Sequence, residues 1–206
     1  MSIDPGLNSL LQWSVENSDA ARDPDKPATE PKGMSAEALR SLMGGPSEAD
    51  LMKEAMSVIV SADAPHDSKM IAFDNFEQLV ESIDNANNME PLGMWTPLIA
   101  QFDNSEADVR RMAAWCVGTA VQNNVKAQER GLAVNGVAKL CKLATNDEDK
   151  AVRRKAVYAL SSSVRNYQPA MNEAVKLLPK NIVGQDQVSA TDMEVIDTIM
   201  AKLRDI

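Results

Sequence analysis

The chain has 206 residues, 44% of them apolar, which suffices for one packed domain. Its 30 acids outnumber 21 bases, and the excess lies at the front: residues 1–100 hold 17 acids and 6 bases, residues 101–206 hold 13 and 15. An acidic first half argues against nucleic-acid binding, which needs clustered Lys and Arg, and no apolar run approaches the ~20 residues that cross a bilayer.

In chain order, residues 7–18 predict a short amphipathic helix, with Leu7, Leu10, Leu11 and Val15 near one stripe and Trp13 at its flank. Residues 19–34 carry three prolines, mixed charge and almost no bulky apolar side chain, the signature of a flexible linker. Residues 35–206 read as the folded body. Ser35 opens a helix that Gly44-Gly45-Pro46 stops, and residues 47–61 form a second, with Leu51, Met52, Ala55, Met56 and Ile59 at helical spacing. Asp67 is the expected N-cap of a long helix to Asp84, whose stripe is Ala72, Phe76, Leu79, Val80 and Ile83. Shorter helices are predicted over 91–102 and 136–144, longer ones over 109–124 and 152–166, and a last one over 188–203. Asp192, Glu194, Asp197 and Lys202 supply that last helix with a polar outer side.

Two of the long helices are one pattern written twice. Val109, Ala113, Cys116, Val117, Ala120 and Val121 recur at the same offsets as Val152, Ala156, Ala159, Leu160, Ser163 and Val164, and both copies open with Val-Arg-Arg. A looser first copy covers residues 69–88 and aligns only with a shift of about one turn. Asn85, Asn123 and Asn166 end the three copies at spacings of 38 and 43 residues, with Asp84, Gln122 and Arg165 beside them. Helical repeats near forty residues predict an all-α, armadillo/HEAT-like, right-handed α-solenoid with a flexible N-terminal segment. Stacked repeats offer a long concave surface to a partner, so protein binding is the first expectation. The asparagines are expected to stack as a ladder that caps helices and faces the partner.

Catalytic material is scarce. His66 is the sole histidine and stands before a helix, which suits a capping or solvated role. With Cys116 and Cys141 it supplies too few ligands for a zinc site, and both cysteines are expected as buried thiols. Gly44-Gly45-Pro46 is not followed by Lys-Ser or Lys-Thr, so it is a helix stop and no phosphate loop. No enzyme, cofactor or metal is expected. Arg110-Arg111 and Arg153-Arg154-Lys155 read either as a solvated face with intrahelical pairs or as a charged edge for an acidic partner. The first residues lack a basic region followed by an apolar core, so the expected compartment is the cytoplasm.

Five runs carry a specific resemblance: Leu10-Leu11-Gln12-Trp13-Ser14, Leu51-Met52-Lys53-Glu54, Ala72-Phe73-Asp74-Asn75-Phe76-Glu77, Asp84-Asn85-Ala86-Asn87-Asn88 and Gly118-Thr119-Ala120-Val121-Gln122-Asn123-Asn124. In this order they resemble the armadillo-type nucleotide exchange factors of the seventy-kilodalton heat-shock chaperone (heat shock protein 70), and the fungal Fes-type branch in particular. The likeness spans about residues 7–175, without the linker. It implies that the repeats embrace lobe II of the chaperone's nucleotide-binding domain, open its cleft, and so release ADP and then client. Asn85, Ala86 and Asn87 carry over as partner contacts, joined along the ladder by Asn123, Asn124, Arg165 and Asn166. Leu10, Leu11 and Trp13 carry over as a release segment that imitates an apolar peptide at the chaperone's substrate-binding domain. A monomer without cofactor is expected. After about Asn181 the chain departs from longer relatives, with Glu194 where they hold a basic residue. The alternative is an armadillo-type peptide-binding adaptor or scaffold unrelated to chaperones.

Overall fold

The structure, a computed structural model, describes residues 13–15 and 45–206. Leu10, Leu11, the expected linker and the expected helix from Ser35 lie outside the described residues; Trp13 is helical and half-buried. Residues 48–206 form one compact unit.

Eleven α-helices and one 3-10 turn fill that unit, and no strand occurs among the described residues. They are α1 (Glu48–Val60), α2 (His66–Val80), α3 (Ile83–Asn88), α4 (Trp95–Ala100), α5 (Ala107–Val121), α6 (Val125–Ala133), α7 (Gly136–Asn146), α8 (Lys150–Val164), α9 (Gln168–Leu177), α10 (Lys180–Val183) and α11 (Met193–Arg204), with the turn at Gln101–Asp103 after α4. From α3 onward they group in threes, two shorter helices and then a long one. The long helices pack in series, α2 on α5, α5 on α8 and α8 on α11. The first helices of the triads, α3, α6 and α9, also stack in series. That is the armadillo-like solenoid read from the sequence.

The stripes explain the stacking. All twelve apolar or small positions of the two matching copies, from Val109 to Val121 and from Val152 to Val164, are buried. Each therefore faces a neighbouring helix on both sides of the ladder, and removing a large member such as Leu160 costs about 2–5 kcal/mol. Side-chain caps fix several starts. Asp149 accepts from the amides of Ala151 and Val152 at α8, and Asp192 accepts from Val195 N at α11. Because Asp192 is that cap, α11 begins at Met193 and the helix expected from residue 188 starts later.

The first copy differs from its reading. The helix expected from Asp67 to Asp84 is two: α2 stops at Val80, and Ser82 is already the N-cap of α3. Pro65, whose ring presets φ at −55°, holds the α2 cap position instead of Asp67. Phe73 and Phe76 carry the α2 core contact, while Leu79 is half-buried and Ile83 exposed. Val80, Val121 and Val164 are the equivalent last residues. Two residues, Glu81 and Ser82, link α2 to α3, whereas three residues link α5 to α6 and α8 to α9. The first link is one residue shorter, and matching Val80 to Val121 sets the copies 41 residues apart (121−80) against 38 for Asn85 and Asn123, so the apparent one-turn shift comes from matching asparagines that are not equivalent.

Candidate functional site

The helix ends decide which asparagines are equivalent. Asn123 and Asn166 sit just past α5 and α8 with φ of 52° and 59°. This left-handed conformation is one that asparagine tolerates and that lets the chain turn into the next helix. Both are exposed. Asn85 does not join them. It lies inside α3, 3% exposed, and its amide donates to Glu48 Oε2 at 2.8 Å and to the Leu79 carbonyl at 2.9 Å. The ladder of three is thus two turn asparagines and one interior tie, because the first link is Glu81-Ser82 and Asn85 is already the third residue of α3.

The other expected contacts spread along the same edge. Ala86 is 2% exposed and belongs to the core, while Asn87 is half-buried. Asn124 caps α6, accepting from Ala127 N at 3.3 Å. Arg165 is committed within the chain: it reaches Asp197 of α11 at 2.5 Å, Ser161 Oγ at 2.9 Å and Met193 Sδ at 3.2 Å. A hollow of about 360 Å³ lies between α3 and α6, lined by Ala86, Asn87, Pro91, Trp95, Ala127 and Arg130 among others. Among the described residues, Asn87 Oδ1, Trp95 Nε1 and Asn124 Nδ2 are buried without a hydrogen-bond partner. Unspent polar atoms are uncommon in native interiors, and three on one edge set it apart. Ile83 and Val125 occupy the first position of α3 and α6 and are both exposed.

A second group was not legible in the sequence, because it is assembled from three repeats on the ladder of long helices. Lys155 of α8 places Nζ 3.7 Å from the centre of the Trp115 ring of α5 and 5.5 Å from that of Tyr158. Tyr158 donates its hydroxyl to Gln122 Oε1 at 3.3 Å, and Thr119 donates to Glu77 Oε1 of α2 at 2.6 Å. Burial pulls the Lys155 ammonium below its ordinary pKa; Glu77 opposes this and Arg111 adds to it. In the sequence Lys155 belongs to one basic run with Arg153 and Arg154. The ladder separates them: Arg153 turns to the loop carbonyls of Asp147 and Glu148, Arg154 is exposed, and Lys155 lies over the rings.

The remaining basic and catalytic candidates are structural. Arg110 forms a two-point pair with Asp147, Nε to Oδ2 at 2.7 Å and Nη2 to Oδ1 at 2.9 Å, with both side chains largely buried. Burial alone would raise the Asp147 carboxyl, but the Arg110 hydrogen bond, the Asp149 amide and the Arg110 and Arg153 charges outweigh it and hold it below its usual range. Arg111 pairs with Asp108 one turn away. His66 is exposed and bridges to Glu106 at 2.6 Å. Cys116 and Cys141 are free, buried thiols, the latter raised to about 12 by burial and by Glu173. Thiolates are scarce at such values, so neither is primed for chemistry.

The family model of the nucleotide exchange factor Fes1 matches residues 7–89, and that of the C-terminal domain shared by SIL1, FES1 and HPBP1 matches residues 85–200. The chain belongs to the Fes1 family. The seam between the two matches falls in α3, beside the shortened turn. Among its relatives, the Hsp70 nucleotide exchange factor FES1 of Gibberella zeae is 55% identical over 98% of this chain and 97% of its own length. That of Coccidioides immitis is 50% identical over 99% of each. The Scheffersomyces stipitis factor is 42% identical over 86% of this Fes1-family chain, and the match covers 62% of its longer sequence. Crystal structures of two engineered proteins share the fold, at TM-scores of 0.55 and 0.56 with 17% and 16% identity, covering 82% and 93% of this chain and 72% and 46% of theirs.

Proposed function

We propose that this chain is an Hsp70 nucleotide exchange factor, acting in the cytoplasm as a monomer on the chaperone's nucleotide-binding domain. The observation that carries the reading is the likeness to fungal Hsp70 nucleotide exchange factors at 50–55% identity over nearly the whole of both chains. Two surfaces support it: the ladder face around Trp115, Lys155 and Tyr158, and the edge with Asn87, Asn123, Asn124 and Asn166. Aromatic side chains and partly desolvated polar groups are what protein interfaces concentrate at their centres. Exposed Ile83 and Val125 add apolar area to the edge.

The mechanism needs no bond making. A factor that binds the open conformer of a nucleotide cleft better than the closed one shifts the population toward open by that difference in affinity alone. A tenfold preference corresponds to ~1.4 kcal/mol, within reach of one or two well-placed contacts. On this reading ADP leaves because lobe II is held turned out, and ATP entry then frees the client. Leu10, Leu11 and Trp13 engage the substrate-binding domain as an apolar mimic and hinder client rebinding. Release of a fluorescent ADP analogue from cytosolic Hsp70 tests the proposal. The chain is expected to accelerate release in proportion to complex formed, and an unchanged release rate at saturating chain would overturn it.

A further inference from the structure

Among the basic side chains of α5 and α8, Lys155 stands in a distinct position. Arg110 and Arg111 have carboxylate partners, Arg153 is bound by loop carbonyls, and Lys150 and Arg154 are exposed to water. Lys155 is half-buried and has no carboxylate within 4 Å among the described residues. Its ammonium rests on the Trp115 ring at 3.7 Å, near Tyr158 at 5.5 Å. Glu77 of α2, buried across the ladder, accepts the Thr119 hydroxyl at 2.6 Å on one carboxylate oxygen and acts on Lys155 only through its charge. Desolvating an ammonium is costly, and a cation–π contact offsets only about 0.5–2 kcal/mol of that cost. The arrangement leaves the Lys155 ammonium without a direct carboxylate contact, supported only at a distance by Glu77, on the face that the proposed function assigns to the partner.

We propose that Lys155 is a carboxylate receptor: an Asp or Glu side chain of the chaperone's nucleotide-binding domain docks on its ammonium, flanked by the rings of Trp115 and Tyr158. The inference rests on the exchange-factor reading and narrows it to one contact. Three features make the receptor preorganised. The Trp115 indole seats the lysine ammonium, the Gln122 hydrogen bond fixes the Tyr158 ring, and Gly118 leaves room for that ring against α5. A contact with few rotamers left to lose keeps more of its interaction energy on binding. The aromatic walls exclude water from the pair and strengthen it, as at the centres of other interfaces.

The test is equilibrium binding of the full chain to the isolated nucleotide-binding domain of cytosolic Hsp70, at low and high salt, for wild type, Lys155→Met, Lys155→Arg and Lys155→Glu. Methionine keeps the apolar stem over Trp115 and removes only the charge. Lys155→Met is expected to weaken binding at least about tenfold and to flatten its salt dependence. Lys155→Arg should stay within about threefold of wild type, and Lys155→Glu should bind worse than Lys155→Met. Wild-type affinity and an unchanged salt slope in Lys155→Met would overturn the receptor while leaving the exchange-factor reading intact. Failure of the wild-type chain to bind the domain at all would overturn both. If Lys155→Met melts early, the Arg and Glu variants decide: equal affinity for these two overturns the receptor.

Discussion

Gly118 and Tyr158 set the geometry of the ladder face between them. A methyl group at position 118 would stand 2.6 Å from Tyr158 Cε1 and 3.0 Å from Ala159 Cα, closer than carbon atoms approach. Gly118→Ala is therefore expected to push the ring off α5 at a cost of about 1–3 kcal/mol, read as a lower melting temperature, with weaker Hsp70 binding because Tyr158 flanks Lys155. Ala86 teaches a different lesson. The resemblance makes it a partner contact, so Ala86→Arg invites the expectation of lost exchange with an unchanged melting temperature. With 2% of its surface exposed, that substitution instead drives a guanidinium into the core and should lower the melting temperature as well. Val125, 56% exposed at the first turn of α6, is the better probe of the same edge. Val125→Glu should leave the melt unchanged, since an acid suits a helix start, and reduce Hsp70 affinity several-fold in the same binding assay. Wild-type affinity there would remove this edge from the interface.

At the scale of elements, the links between repeats are polar and specific. Arg110 on α5 spans to Asp147 after α7, and its Nη1 also takes the carbonyls of Asn104 and Ser105, each at 2.9 Å. Arg153 repeats the carbonyl half of this arrangement one repeat later, on Asp147 and Glu148. Asp147→Ala removes the two-point carboxylate from a buried guanidinium and is expected to cost about 3 kcal/mol in denaturant unfolding, since two carbonyls and Glu148 at 4.0 Å remain. The pH dependence follows from the direction of the Asp147 shift. Its folded pKa lies below the unfolded value of about 3.9, so its contribution is complete above that pH and disappears as pH falls through the folded pKa. The wild type should lose more stability across that acid window than Asp147→Asn, measured by urea midpoints. The turns after α5 and α8 make a separate test. Asn123→Gly should preserve stability, whereas Asn123→Val should cost about 1–2 kcal/mol, because a β-branched residue resists φ near 52°.

For the whole molecule, residues 48–206 carry a continuous core of their own, so a chain lacking residues 1–33 should fold and still release ADP from Hsp70. Release of a labelled client peptide should be less complete, because a tethered apolar segment competes at roughly millimolar effective concentration. Paired nucleotide and peptide release checks this; equal peptide release by both forms would make the N-terminus a passive tail. Helix type, repeat period and the buried stripes of α5 and α8 are written in local spacing, because a 3.6-residue period marks the face that must leave water whatever it packs against. The family is legible too, since its five runs are local. What escaped the sequence depends on neighbours forty residues away. Nothing local shows that Asn85 falls inside α3 and turns inward while Asn123 and Asn166 face out, that Ala86 is core, or that Arg165 is held by Asp197. The cluster of Trp115, Lys155 and Tyr158 exists only once α5 and α8 lie side by side. Packing decides which polar side chains are consumed inside the chain and which remain for a partner, and that division is a property of the stacked repeats.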